Sequence, residues 1–105
     1  MYIVLYAFSV KLDCEDQFVE GWKGLTTYIY KNNGSLGSRL HKSSALNYIA
    51  YAQWPNKKIF EMAASGNLPP EAESFREKMR TACSDIKIIN RFDVVEDLLA
   101  DEVYD

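Results

Sequence analysis

The run SRLHK places the single histidine, His41, two residues after Arg39, and that spacing on a strand puts both side chains on one face. Imidazole is the side chain whose ordinary pKa lies near neutrality, so His41 is the candidate general base. Arg39 beside it could receive an anionic or phenolate oxygen. Asn90 and Arg91 interrupt an apolar run further along and offer more hydrogen-bond donors to oxygen atoms. In YIAYAQWPNKKIFE, Trp54 closes a strand pattern just before Pro55, and Ala50 and Ala52 on its face leave room for a flat ligand against the indole. Tyr51, with Tyr48 nearby, adds an uncharged hydroxyl suited to an aromatic substrate. The expected site therefore has His41 as its catalytic residue and Trp54, Tyr51, Arg39, Asn90 and Arg91 as its substrate-binding residues. Each has a plainer reading as well: Trp54 as a core plug, His41 at a polar hairpin end, and the arginines in surface ion pairs.

Other chemistries lack their residues. A metal needs several His, Cys or carboxylate side chains that converge, and one histidine with the distant Cys14 and Cys83 has no such spacing. No glycine-rich phosphate loop follows a strand, so neither a metal nor a nucleotide cofactor is expected. The formal charge is −3 and Lys and Arg are scattered, which excludes the basic stripe of a nucleic-acid binder. Two cysteines are too few for a disulfide framework and fit reduced thiols in a cytoplasm. The apolar start MYIVLYAFSV has no basic residues before it and meets Lys11 and Asp13 too soon to cross a membrane, so it reads as a strand.

The elements that must position these residues follow from periodicity. The chain of 105 residues, 48% apolar, suits one domain with one core. After the strand at 2–10, Asp13 is placed to cap a helix in which Phe18, Trp22, Leu25 and Ile29 form a stripe, ending at Asn32-Asn33-Gly34. Two extended runs then flank Ser43-Ser44-Ala45, which predicts a hairpin. In the second run Tyr48, Ala50, Ala52 and Trp54 share one face and Ile49, Tyr51 and Gln53 the other, both with bulk. Asn56 can cap a helix through Ala64, and Gly66 with Pro69-Pro70 separates it from a second helical piece, Glu71 to about Ser84. From Asp85 a last strand would place Ile86, Ile88, Asn90, Phe92 and Val94 on one face. The order is β-α-β-β-α-β with a broken second helix, an α+β ferredoxin-like fold with a four-stranded antiparallel sheet. Apolar residues on the sheet face away from the helices point to a partner subunit.

With these elements in place, NNGSLGSRLHKSSALNYIAYAQWPNKKIFEMA resembles the antibiotic biosynthesis monooxygenase (ABM) family, over about residues 1–96. The resemblance implies a homodimeric α+β barrel whose two sheets pack face to face, with a pocket between sheet and broken helix. It also implies a cofactor-independent monooxygenase, an oxidoreductase acting on a phenol- or quinol-like substrate. The alternative is a non-catalytic homodimer of the same fold that binds a small ligand or a partner. Haem-degrading relatives carry an Asn in the first strand where this chain has Tyr6, Ala7 and Phe8. Many quinol-oxygenase-like members carry an acid where this chain has Ala52, and histidines where it reads MAASGNLPP. Residues 97–105 form an acidic tail, and the stretch VVEDLLADEVYD is either a partly helical arm on the partner subunit, which Leu98, Leu99 and Val103 favour, or a solvated acidic end.

Overall fold

In a computed structural model, which describes residues 1–99, the elements run β1 (Tyr2–Val10), α1 (Glu15–Asn32), β2 (Ser38–Ser44), β3 (Asn47–Trp54), α2 (Lys57–Ser65), α3 (Pro70–Thr81) and β4 (Cys83–Asp93). The four strands form one sheet in the order β2-β3-β1-β4, every neighbouring pair antiparallel. This is the ferredoxin-like α+β arrangement expected from the sequence, with the second helix split into α2 and α3. No helix among the described residues is long and apolar enough to cross a membrane.

Local chemistry accounts for most boundaries. The Asn56 side chain accepts a hydrogen bond from the Ile59 backbone N–H at 2.9 Å and starts α2. Pro70 opens α3, where its missing N–H costs nothing. Gly34 takes φ +82 just past the end of α1, which a side chain with a Cβ would resist.

Four expectations are corrected. Asp13 does not cap α1: it sits at φ 66, and Cys14 occupies the cap position without a side-chain hydrogen bond. The hairpin turns at Ala45-Leu46, after Ser44, with Leu46 at φ 65 and its carbonyl accepting from the Val10 N–H at 2.7 Å. α3 stops at Thr81, because Cys83 already pairs with Val10 in the sheet. In β4, Leu5 faces Asn90 while Tyr6 faces Ile88, so Ile89 is an extra residue in a bulge. The bulge inverts the alternation: Ile86 and Ile88 point to the helices, whereas Asn90 and Phe92 point away. Of the expected tail arm, Val94 to Leu99 form no helix, Leu98 and Leu99 are exposed, and Val103 lies outside the described residues.

The helix layer packs on one sheet face through two separate clusters. Phe18 of α1 meets Phe8 at 4.9 Å and Tyr48 at 5.0 Å between ring centroids, and its complete burial contributes about 2–3 kcal/mol. At the other end Phe60 of α2 meets Trp54 edge-on at 5.5 Å and Tyr2 at 5.9 Å. α1 and α3 touch through glycines: a Cβ on Gly21 would lie 2.5 Å from the Met79 backbone nitrogen, and one on Gly24 would overlap the Phe75 ring. Gly21→Ala should therefore destabilise the fold by about 1–3 kcal/mol in chemical denaturation, despite the roughly 1 kcal/mol helix-propensity gain. A neutral or stabilising result would show that the two helices are free to move apart.

Candidate functional site

Between the two clusters lies a cavity. Its inner lobe, about 150 Å³, is floored by Ala50 and Ala52 of β3 and roofed by Trp22, Leu25 and Ile29 of α1. These three α1 residues continue the stripe begun by Phe18, yet they remain half-buried above a stretch of β3 that carries only the methyl groups of Ala50 and Ala52. Trp54 closes one end, and Tyr6 reaches in from β1. The wider outer lobe, about 380 Å³, shares Tyr6, Trp54, Ile29 and Met79 and extends beneath α2 and α3 past Asn33, Arg76 and Arg80.

Polar groups at the cavity are few and in part unpartnered. Among the described residues, three side-chain atoms shielded from solvent lack a hydrogen-bond partner: Trp54 Nε1, Ser38 Oγ and Asn33 Oδ1. All three residues line the cavity. A buried polar atom left alone costs about 1–3 kcal/mol, so this is a concentrated deficit that a bound oxygen or nitrogen would relieve. Burial pushes the Tyr6 phenol above its ordinary pKa, against the opposing pull of the Arg91 charge. The Arg91 guanidinium itself lies over the Phe60 ring, 5.4 Å from its centroid.

Among the described residues no carboxylate, imidazole or thiol lines either lobe. Cys83 is pushed up to about 11, chiefly by burial, with Lys11 opposing and Cys14 adding to the rise, which suppresses its thiolate. Among the described residues no three His, Cys, Asp or Glu side chains are grouped to hold a metal ion.

The sheet divides the site residues expected from the sequence. Trp54 lines the cavity, and Arg91, paired with Val4, takes the helix side beside Phe60. Arg39 pairs with Tyr51 and His41 with Ile49, which puts Arg39, His41 and Tyr51 on the opposite face. The bulge sends Asn90 there too, so Asn90 and Arg91 do not act together on one ligand. His41 is exposed and separated from the cavity by the thickness of the sheet.

Comparison with solved structures bears on what this arrangement is. SnoaB, a cofactor-independent oxygenase from Streptomyces nogalater, superposes with a TM-score of 0.73 at 15% identity, over 92% of this chain and 95% of its own. An antibiotic biosynthesis monooxygenase structure matches at 0.70 and 12% identity, over 91% of this chain and 100% of the other. The chain has the ABM fold. Rv0793 from Mycobacterium tuberculosis also shares it, at 0.70 and 9% identity, over 93% of this chain and 98% of its own. No sequence-family model and no curated protein sequence matches, so the likeness to the ABM structures is one of architecture.

Several cavity residues had no part in the expected site: Tyr6, Ser38, Asn33, Arg76 and Arg80. Tyr6 had a legible signal, since it alternates with Val4 and Phe8 on the core face of β1. Arg76 and Arg80 had none, because a helical arginine three residues after a glutamate looks like any solvated ion pair. Tyr6 gives a titration test. Its raised folded pKa means a stabilising contribution that is complete below the unfolded value near 10.0 and is lost as pH rises through the folded value. Arg91→Gln should delay Tyr6 ionisation to still higher pH, read as tyrosinate absorbance against a Tyr6→Phe control. An unchanged or earlier onset would place Tyr6 out of reach of the Arg91 charge.

Proposed function

We propose that the chain is a cofactor-independent monooxygenase of the ABM type, acting on a small phenol- or quinol-like substrate in the cavity beside Trp54. The observation that carries this is a two-lobed apolar cavity bounded by Trp54, with unsatisfied polar atoms on Trp54, Ser38 and Asn33. The ABM-type architecture, shared with an oxygenase that needs no cofactor, supports the reading.

In this reaction the substrate supplies the electrons. Loss of a proton leaves an electron-rich carbanion conjugated with the ring. One electron passes to dioxygen, the radical pair joins in a C–O bond, and a proton completes a hydroperoxide. The remaining C–H proton then leaves as the O–O bond breaks, giving a carbonyl and one water. The protein supplies a largely apolar, orienting site in which the ring side of the anion is poorly solvated and its electrons are available. Because none of the described residues lining the walls is a base, the first proton goes to solvent through the outer lobe, where the Arg76 and Arg80 charges favour the anionic form.

The missing base also favours a second reading, a small-ligand-binding protein of the same fold without turnover. Dioxygen uptake with a panel of anthrone-like and quinol compounds separates the two. Monooxygenation puts one atom of labelled dioxygen into the product and the other into water. Ala52→Leu, which fills the inner lobe, should keep the fold and reduce turnover or affinity more than about tenfold. Saturable binding without uptake would select the second reading, and neither binding nor uptake would remove both.

We further propose that the chain pairs as a homodimer through the sheet face opposite the helices. There Leu5, Ile49, Tyr51 and Phe92 form an apolar centre, with Arg39, His41, Asp85 and Lys87 around it. Sedimentation at micromolar concentration should give a dimer, and Tyr51→Asp a monomer. A wild-type monomer would leave this face free and exclude the paired-sheet arrangement.

A further inference from the structure

We propose that the ligand of the cavity is a small aromatic acid, with one ring in the inner lobe and its carboxylate held in the outer lobe by Arg76 and Arg80. This rests on the cavity being the ligand site, and it goes further by assigning the ligand's size and charge. The inner lobe, about 150 Å³, is the size of a cavity that accepts a single benzene ring. A fused polycyclic substrate would have to extend into the outer lobe.

Charge decides what extends there. Among the described residues the outer lobe is lined by two guanidinium groups and by no carboxylate, in a protein whose formal charge is −3. Arg76 and Arg80 are four residues apart on α3, so they stand on one face of the helix, one turn above the other. Their partners Glu73 and Glu77 are not among the residues lining the lobe. Each pair joins side chains about half exposed, a setting in which ion pairs are weak, and a guanidinium with five N–H donors keeps others free. Arg91, stacked over the Phe60 ring, does not itself line the lobe. A planar carboxylate is the group that such a pair of forks binds in two-point fashion.

Titration calorimetry on the full chain with para-hydroxyphenylacetate, its uncharged amide and para-cresol tests the assignment. The acid should bind about tenfold tighter than the amide at low ionic strength, an advantage that shrinks as salt is added. Arg76→Gln combined with Arg80→Gln should abolish that advantage and weaken the acid far more than the amide. Arg80→Gln alone should halve the effect in the same direction if the double variant is unstable. Glu73→Gln with Glu77→Gln, which frees the guanidiniums, should strengthen acid binding. Equal binding of acid and amide, or parallel weakening of both by the arginine substitutions, overturns the proposal. If para-cresol and the amide bind with no preference for the acid, the cavity reading stands and this assignment falls. If none of the three binds, both fall.

Discussion

The helix-facing row of β3 runs Tyr48, Ala50, Ala52, Trp54, and its two methyl groups line the inner lobe between the rings at its ends. Tyr48 carries Phe18, and Trp54 carries Phe60, so α1 and α2 are each propped at one end of the sheet. A helix is stiff and cannot sag into the space between. Glycine contacts lock α1 against α3, which stops α3 from moving in as well. The small side chains of β3 thus give the cavity its floor, and β1, β4, α1 and α3 supply its walls. An unfilled space of this kind costs stability, and proteins keep such costs where function uses them.

That geometry shapes the chemistry. The space is lined almost wholly by carbon, and its few polar atoms are held without partners, which leaves them ready for a ligand and expensive without one. Among the described lining residues positive charge sits in the outer lobe, at Arg76 and Arg80, while the Trp54 indole borders both lobes. A site of this type can hold, dehydrate and orient an electron-rich anion. It cannot itself remove a tightly held proton, so any turnover must draw on the acidity of the substrate.

Much of the fold was legible because it rests on local rules. The Asn56 cap, the Gly34 helix end and the two-faced character of β3 all follow from neighbouring residues. Failures occurred where tertiary contact overrode local pattern. The Ile89 bulge adds a residue with no mark in composition, and it moved Asn90 to the far face. Asp13 had the right side chain for a cap, but the chain turns through it at positive φ. For the site, alternation put Arg39 and His41 on one face, as observed, but could not say which face the helices would cover. Trp54 was legible because its own neighbours, Ala50 and Ala52, make its cavity. Ser38 and Asn33 come from segments that meet Trp54 only in three dimensions, and nothing in their local sequence marks them.

On this view the gap between Tyr48 and Trp54 is a ligand site. A crystal structure of the protein soaked with para-cresol tests it directly. The account predicts density for one ring over Ala50 and Ala52, with the phenol oxygen within hydrogen-bond distance of Trp54 Nε1 or Ser38 Oγ. An inner lobe closed by side chains, or para-cresol bound only on the opposite sheet face near His41 and Tyr51, would contradict it.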